Sequence, residues 1–143
     1  MRILGCSIVR DEADIIESMV RHNLAYVDEL AIVDHASTDG TSQILAALAA
    51  EGLPIRVTKE ADPRFRQKAV INALVHDRLR EHDDDWIFVV DADEFIAAPS
   101  RDALHRTLAA LPADRPGRLE WPTYLPSFVT DAPLSVRLAH PRR

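Results

Sequence analysis

Four short apolar runs alternate with stretches in which apolar residues recur every three or four positions. Residues 2–9 form the first run, rich in Ile and Val, which suits a strand covered on both faces. Asp11 stands where it can cap the next segment, in which Ile15, Ile16, Met19, Val20, Asn23 and Leu24 fall on one helical face. Residues 30–33 predict a second strand ending at Asp34. Thr41 or Ser42 then opens a helix with Ile44, Leu45, Leu48 and Ala49 inward, stopped by Gly52. Residues 55–58 predict a third strand, and Pro63 precedes a long helix through Val70, Leu74, Val75 and Leu79. The fourth strand, residues 86–90, is the most hydrophobic stretch and ends at Asp91; a helix from about 100 to 111 follows. Strands separated by crossover helices predict an α/β domain with a parallel sheet.

From Pro112 the texture changes. Six of the nine prolines lie there, interleaved with Trp121, Tyr124 and Phe128, and no further regular α/β unit is visible. The expected division is therefore an α/β region at 1–111 and a Pro-rich region at 112–143. The ending has no stop signal for a fold and reads as an interruption.

With 143 residues one domain is expected, since a domain takes roughly 100–200. The net charge of −6 disfavours a broad nucleic-acid or anionic-membrane surface. Arg supplies fifteen of the seventeen basic residues, which genomic base composition explains without phosphate binding. Cys6 lies within the first apolar run and reads as a buried strand thiol. No stretch approaches the roughly 18 continuous apolar residues of a membrane span, and the N-terminus has no leader pattern. The expectation is a soluble, cytoplasmic protein.

In an open parallel sheet, ligands bind beyond the carboxyl ends of the strands. Acids stand at three such ends: Asp11 and Glu12 after the first strand, Asp34 after the second, and Asp91, Asp93 and Glu94 after the fourth. Residues i and i+2 of extended chain point the same way, so Asp91 and Asp93 can address one ligand. Mg²⁺ or Mn²⁺ takes one or two protein carboxylates and completes its shell with water and phosphate. Residues 34–41 place small hydroxylated residues, Asp39 and Gly40 before a helix, a tight turn with free amide groups. Asp39 opposes an anion there and reads as a helix cap and loop brace. Asp34 is able to accept hydrogen bonds from a base N–H. His35 is expected to be an exposed loop residue.

Asp34-x-x-Ser37-Thr38-Asp39-Gly40-Thr41 resembles the second-strand motif of family 2 glycosyltransferases. Residues 9–14 resemble their first-strand Asn/Asp-Glu signature. Asp91-Ala92-Asp93-Glu94-Phe95 resembles the Asp-x-Asp element of the branch that reads Asp-x-Asp-Glu-Phe. Order and spacing agree over roughly residues 2–128. The resemblance implies a nucleotide-diphospho-sugar transferase-like, Rossmann-like fold with a mostly parallel sheet and helices on both faces. It also implies metal-dependent transfer of a sugar from a nucleoside-diphosphate donor to an acceptor hydroxyl, with inversion. Carried over by position, Arg10, Glu12, Asp34, Asp39, Gln67 and Lys68 belong to the nucleotide site. Asp91 contacts the ribose or sugar, Asp91 and Asp93 hold Mg²⁺ or Mn²⁺, and Glu94 braces the loop. Inversion needs a general base; Asp131 is favoured over Glu120 and Asp114. The acceptor (polysaccharide, lipid or protein) is open, and the acceptor side is expected to be incomplete.

Two other enzyme or signalling classes fit less well. A haloacid-dehalogenase-type phosphatase opens with its Asp-x-Asp strand, whereas this strand comes fourth. A receiver-like domain needs an Asp after its third strand, where Thr58-Lys59-Glu60 stands. The alternative that shares every donor motif is a truncated, non-catalytic nucleotide or nucleotide-sugar binding domain.

Overall fold

A computed structural model describes residues 1–62, 64, 67–81, 86–112 and 117. Four strands, β1 (Ile3–Val9), β2 (Glu29–His35), β3 (Ile55–Glu60) and β4 (Trp86–Val89), form one parallel sheet in the order β3-β2-β1-β4. Between and after them run helices α1 (Ile16–Asn23), α2 (Thr41–Ala50), α3 (Gln67–Glu81) and α4 (Arg101–Ala109). The chain steps outward from β1 to β3, then returns through α3 to place β4 on the other side of β1. Strand order therefore reverses between β1 and β4, the switch point at which open α/β sheets bind ligands.

The central strand β1 is buried along its whole length, as a run apolar on both faces requires. Its alternating side chains serve two layers. Ile3 and Val9 join a core with Ile16, Met19 and Val20 of α1 and Leu104 and Leu108 of α4. Ile8 faces the other side, where it lies beside Ile71 of α3. Gly5 is required by close packing: a Cβ there would stand 2.3 Å from Leu30 Cδ2 on the neighbouring strand. Cys6 is fully buried, and burial pushes its thiol up to about 11, so it packs as an inert apolar group.

Several expectations change in detail. Asp11 does not cap α1; Ile15 occupies the cap position without a side-chain bond, and Asp11 turns to the β2–α2 loop. Ala49 is exposed, whereas Thr41, Leu45 and Leu48 of α2 are buried and Ile44 packs against the core. Leu79 is also exposed, and its neighbour Arg78 takes the inward position. The Arg78 guanidinium lies 2.9 Å from Glu29, an acid also bound by Arg2 at 2.5 Å. An arginine stem with a paired head fills that space at less cost than an unpaired charge. Val89 is half exposed because, among the described residues, β4 is an edge strand. No described helix is long and apolar enough to cross a membrane. Beyond Leu111 only residues 112 and 117 are described, so the Pro-rich region at 112–143 otherwise lies outside the described residues.

Candidate functional site

The first half of the site is the knot between the β1–α1 turn and the β2–α2 loop. Asp11 adopts a left-handed backbone (φ 55°), which Asp tolerates better than most residues. Its carboxylate accepts from the Thr38 N–H at 2.6 Å and the Thr38 hydroxyl at 3.2 Å, while its own N–H donates to Ser37 Oγ at 3.1 Å. In the next two residues, the Glu12 N–H donates to Thr41 Oγ1 at 2.8 Å and the Ala13 N–H to Asp39 Oδ2 at 3.0 Å. Asp39 also accepts from the Thr41 N–H at 2.8 Å and the Thr41 hydroxyl at 2.5 Å. These donors hold the Asp39 carboxyl below its ordinary range. Asp39 is thus a loop brace, bonded to both turns.

Asp34 is buried at 2% exposure, with one oxygen accepting from the Ser37 N–H at 3.2 Å and the other from the Ser42 hydroxyl. Burial alone would push its carboxyl up. The donors Ser37 and Ser42 and the charge of Lys59 outweigh that and hold it below the ordinary range. Ala36 is forced to φ 54° between these bonds, a strained position for a residue with a Cβ. His35 is not an exposed loop residue. It closes β2 at 1% exposure, opposite Glu60 of β3, because the strand runs one residue past Asp34.

The second half follows β4. The last ladder bond joins Val90 N–H to the Cys6 carbonyl at 3.0 Å, and the chain then leaves the sheet. Asp91 and Asp93 are both exposed. Glu94 folds back to accept the Asp91 N–H at 3.0 Å, while its own N–H donates to the Asp91 carbonyl at 3.1 Å. This reciprocal turn is the bracing expected of Glu94. Its carboxyl is pushed up by burial and by the neighbouring charges of Asp91 and Asp93, against the lowering effect of the Asp91 N–H.

The two halves meet. Burial, followed by the charges of Asp14, Asp93, Asp39 and Asp11, pushes Glu12 above its ordinary range. An acidic field thus spans the carboxyl ends of β1 and β4. On the α3 side of the same switch point, an open cleft of about 210 Å³ is lined by Ile8, Lys68, Ile71, Val89 and Asp91. Lys68 from α3 and Asp91 from the β4 end therefore border one space. Arg10 is exposed where β1 ends, 3.8 Å from Asp11, and Gln67 is the first residue of α3. Asp131, Glu120 and Asp114 lie outside the described residues.

Asp91 and Asp93 offer exposed, hard oxygen ligands in the number that Mg²⁺ or Mn²⁺ takes when phosphate and water complete its shell. Among the described residues no three His, Cys, Asp or Glu side chains form a protein-only cage. The donor set fits a shared metal–phosphate site. Sequence reasoning missed the residues that hold this loop from outside, His22, Asn23 and Tyr26. The available signal was a polar Asn23 on the apolar stripe of α1.

No curated protein gives a significant sequence match. Among solved structures, the chain is similar to a mannosyltransferase from Pyrobaculum calidifontis in complex with GDP-Man and Mn²⁺. Identity is 26% and the TM-score 0.56, over 78% of this chain and 33% of that one. The chain thus spans a third of that protein's length. Residues 7–116 match the family described as Glycosyl transferase family 2, and the four-stranded parallel sheet with its helices accords with the structural match. The chain belongs to glycosyl transferase family 2.

Proposed function

We propose that this chain is the donor-binding part of a metal-dependent glycosyltransferase, moving a sugar from a nucleoside-diphosphate donor to an acceptor hydroxyl with inversion. The observation that carries the reading is the convergence at the β1–β4 switch point of Asp91 and Lys68 on one cleft, with Asp93 exposed two residues beyond Asp91. Likeness to a structure holding GDP-Man and Mn²⁺ supports a nucleotide-sugar donor and a divalent cation.

In this reading Asp93 is the direct metal ligand, and Asp91 contacts both the metal and the ribose or sugar. Asp91 and Asp93 would hold a divalent cation, which when bound would supply positive charge against the departing diphosphate, worth several kcal/mol of barrier. Lys68 adds a second positive charge on the α3 side of the cleft. Arg10, Glu12 and Gln67 line the nucleoside pocket. Asp34 and Asp39 shape its floor through Ser37, Ser42 and Thr41, and Asp34 keeps its proposed role toward the base. Asp131 is the proposed general base on the acceptor side.

A second reading, binding of a nucleotide or nucleotide sugar without turnover, rests on the same donor-side residues. Incubation with labelled GDP-mannose separates the two readings. Release of mannose, to water or to an added sugar acceptor, that requires Mn²⁺ and stops with EDTA supports transfer. Binding of the nucleotide without release supports the second reading, and no binding refutes a guanosine-diphosphate site in either reading.

A further inference from the structure

We infer that Asn23 is the positioning residue of the acidic loop after β4, its amide acting in place of a strand's peptide group. Asn23 closes α1 and is completely buried. Its Nδ2 donates to the Glu94 carbonyl at 2.9 Å and its Oδ1 accepts from the Ile96 N–H at 2.9 Å. A carbonyl and an N–H two residues apart are the pair that a neighbouring parallel strand would engage. They also fix the amide's orientation, since the flipped amide would meet two mismatched groups.

Ala92 is buried in the core and Phe95, Ile96 and Ala98 pack against it, but the hydrogen bonds that set the loop's backbone come from one side. After the Val90 bond the sheet contributes nothing to residues 91–98 among the described residues. Apart from the internal Asp91–Glu94 turn, each of their hydrogen bonds to another element among the described residues comes from α1 or the turn that follows it. Besides Asn23 these are His22 Nε2 with the Ile96 carbonyl at 2.9 Å and the Tyr26 hydroxyl donating to the Ala98 carbonyl at 3.1 Å. The Phe95 ring, between the two backbone groups that Asn23 grips, meets the His22 ring edge-on at 5.2 Å. Asn23 contributes two of the four bonds and is the only fully buried member, where water cannot take its place.

Asn23 is fully buried and bonded to the loop's backbone, so it acts through the placement of Asp91 and Asp93. The inference rests on the proposed metal–diphosphate site. Its consequence is specific: loosening the grip weakens the metal-dependent part of nucleotide binding and spares the metal-independent part.

The test measures Mn²⁺ binding by loss of the free-ion electron paramagnetic resonance signal in the presence of GDP, and GDP binding with EDTA by calorimetry. Asn23→Asp keeps the acceptor for Ile96 but sets an oxygen against the Glu94 carbonyl. Asn23→Leu removes both bonds, and Tyr26→Phe serves as a milder variant if either fails to fold. At temperatures where circular dichroism matches wild type, we expect Mn²⁺ affinity to fall at least tenfold in the Asn23 variants and about twofold in Tyr26→Phe. GDP affinity in EDTA should stay within twofold. Folded variants with wild-type Mn²⁺ affinity, or with equal losses in both measurements, would overturn the inference. Absence of Mn²⁺ binding in the wild type would instead overturn the proposed function beneath it.

Discussion

The loops after β2 and β4 both present acids at the ligand-binding edge of the sheet, yet they use them in opposite ways. Asp34 and Asp39 are satisfied within their own turn and the adjoining one, by Ser37, Ser42, Thr41 and Ala13. After β4, the carboxylates of Asp91 and Asp93 remain exposed, and the loop's backbone is held from outside by α1. The hydrogen bonds lower the carboxyls of the first loop, whereas burial and like charge raise those of Glu12 and Glu94 beside the second. A carboxylate whose lone pairs are partly engaged in the fold has fewer to offer a ligand. The contrast therefore separates residues that build the site from residues that serve it.

The largest test of that contrast is Asp34→Ala. It strips the acceptor from the Ser37 N–H and the Ser42 hydroxyl at a buried position, and about 2–3 kcal/mol of stability should be lost in urea denaturation. A loss under half a kcal/mol would show the network to be incidental. Thr41→Val comes next. Its hydroxyl both accepts from Glu12 and donates to Asp39, so about 1–2 kcal/mol should go, with the β1–α1 turn exchanging amide protons faster.

Glu12→Gln should have the smallest effect and the opposite sign. A carboxyl raised in the folded state favours folding when protonated, and it penalises folding as pH rises from its unfolded value of 4.5 through the raised one. The variant should therefore melt slightly higher than wild type at pH 7 without metal, and the gap should close at pH 4. Asp34 and Asp39 run the other way: their contribution is present above about 3.8 and fades as pH falls through their lowered values. Equal melting of Glu12→Gln and wild type at both pH values would remove the acidic field from the account.

Much of this was legible in the sequence. The apolar run at residues 3–9 could only be a strand covered on both faces, and the order of motifs placed acids at the carboxyl edge. The α1 stripe was read correctly at Ile16, Met19 and Val20. What escaped were facts set by pairing across the fold. The inward turn of Arg78 depends on Glu29, 49 residues earlier, and the burial of His35 depends on how far β2 pairs with β3. By spacing Asn23 simply joins the apolar face of α1, and its partners Glu94 and Ile96 lie more than 70 residues away. Asp11 was read as a local cap by its chemistry, but its partner is Thr38.

Central to the account is that Asp93 holds a divalent cation shared with a nucleoside diphosphate. Calorimetric titration of GDP, with and without Mn²⁺, on wild type and Asp93→Ala tests this directly. Mn²⁺ should tighten GDP binding at least tenfold in the wild type, about 1.4 kcal/mol, and should leave the variant unchanged at the same melting temperature. The same Mn²⁺ enhancement in both proteins would contradict the account.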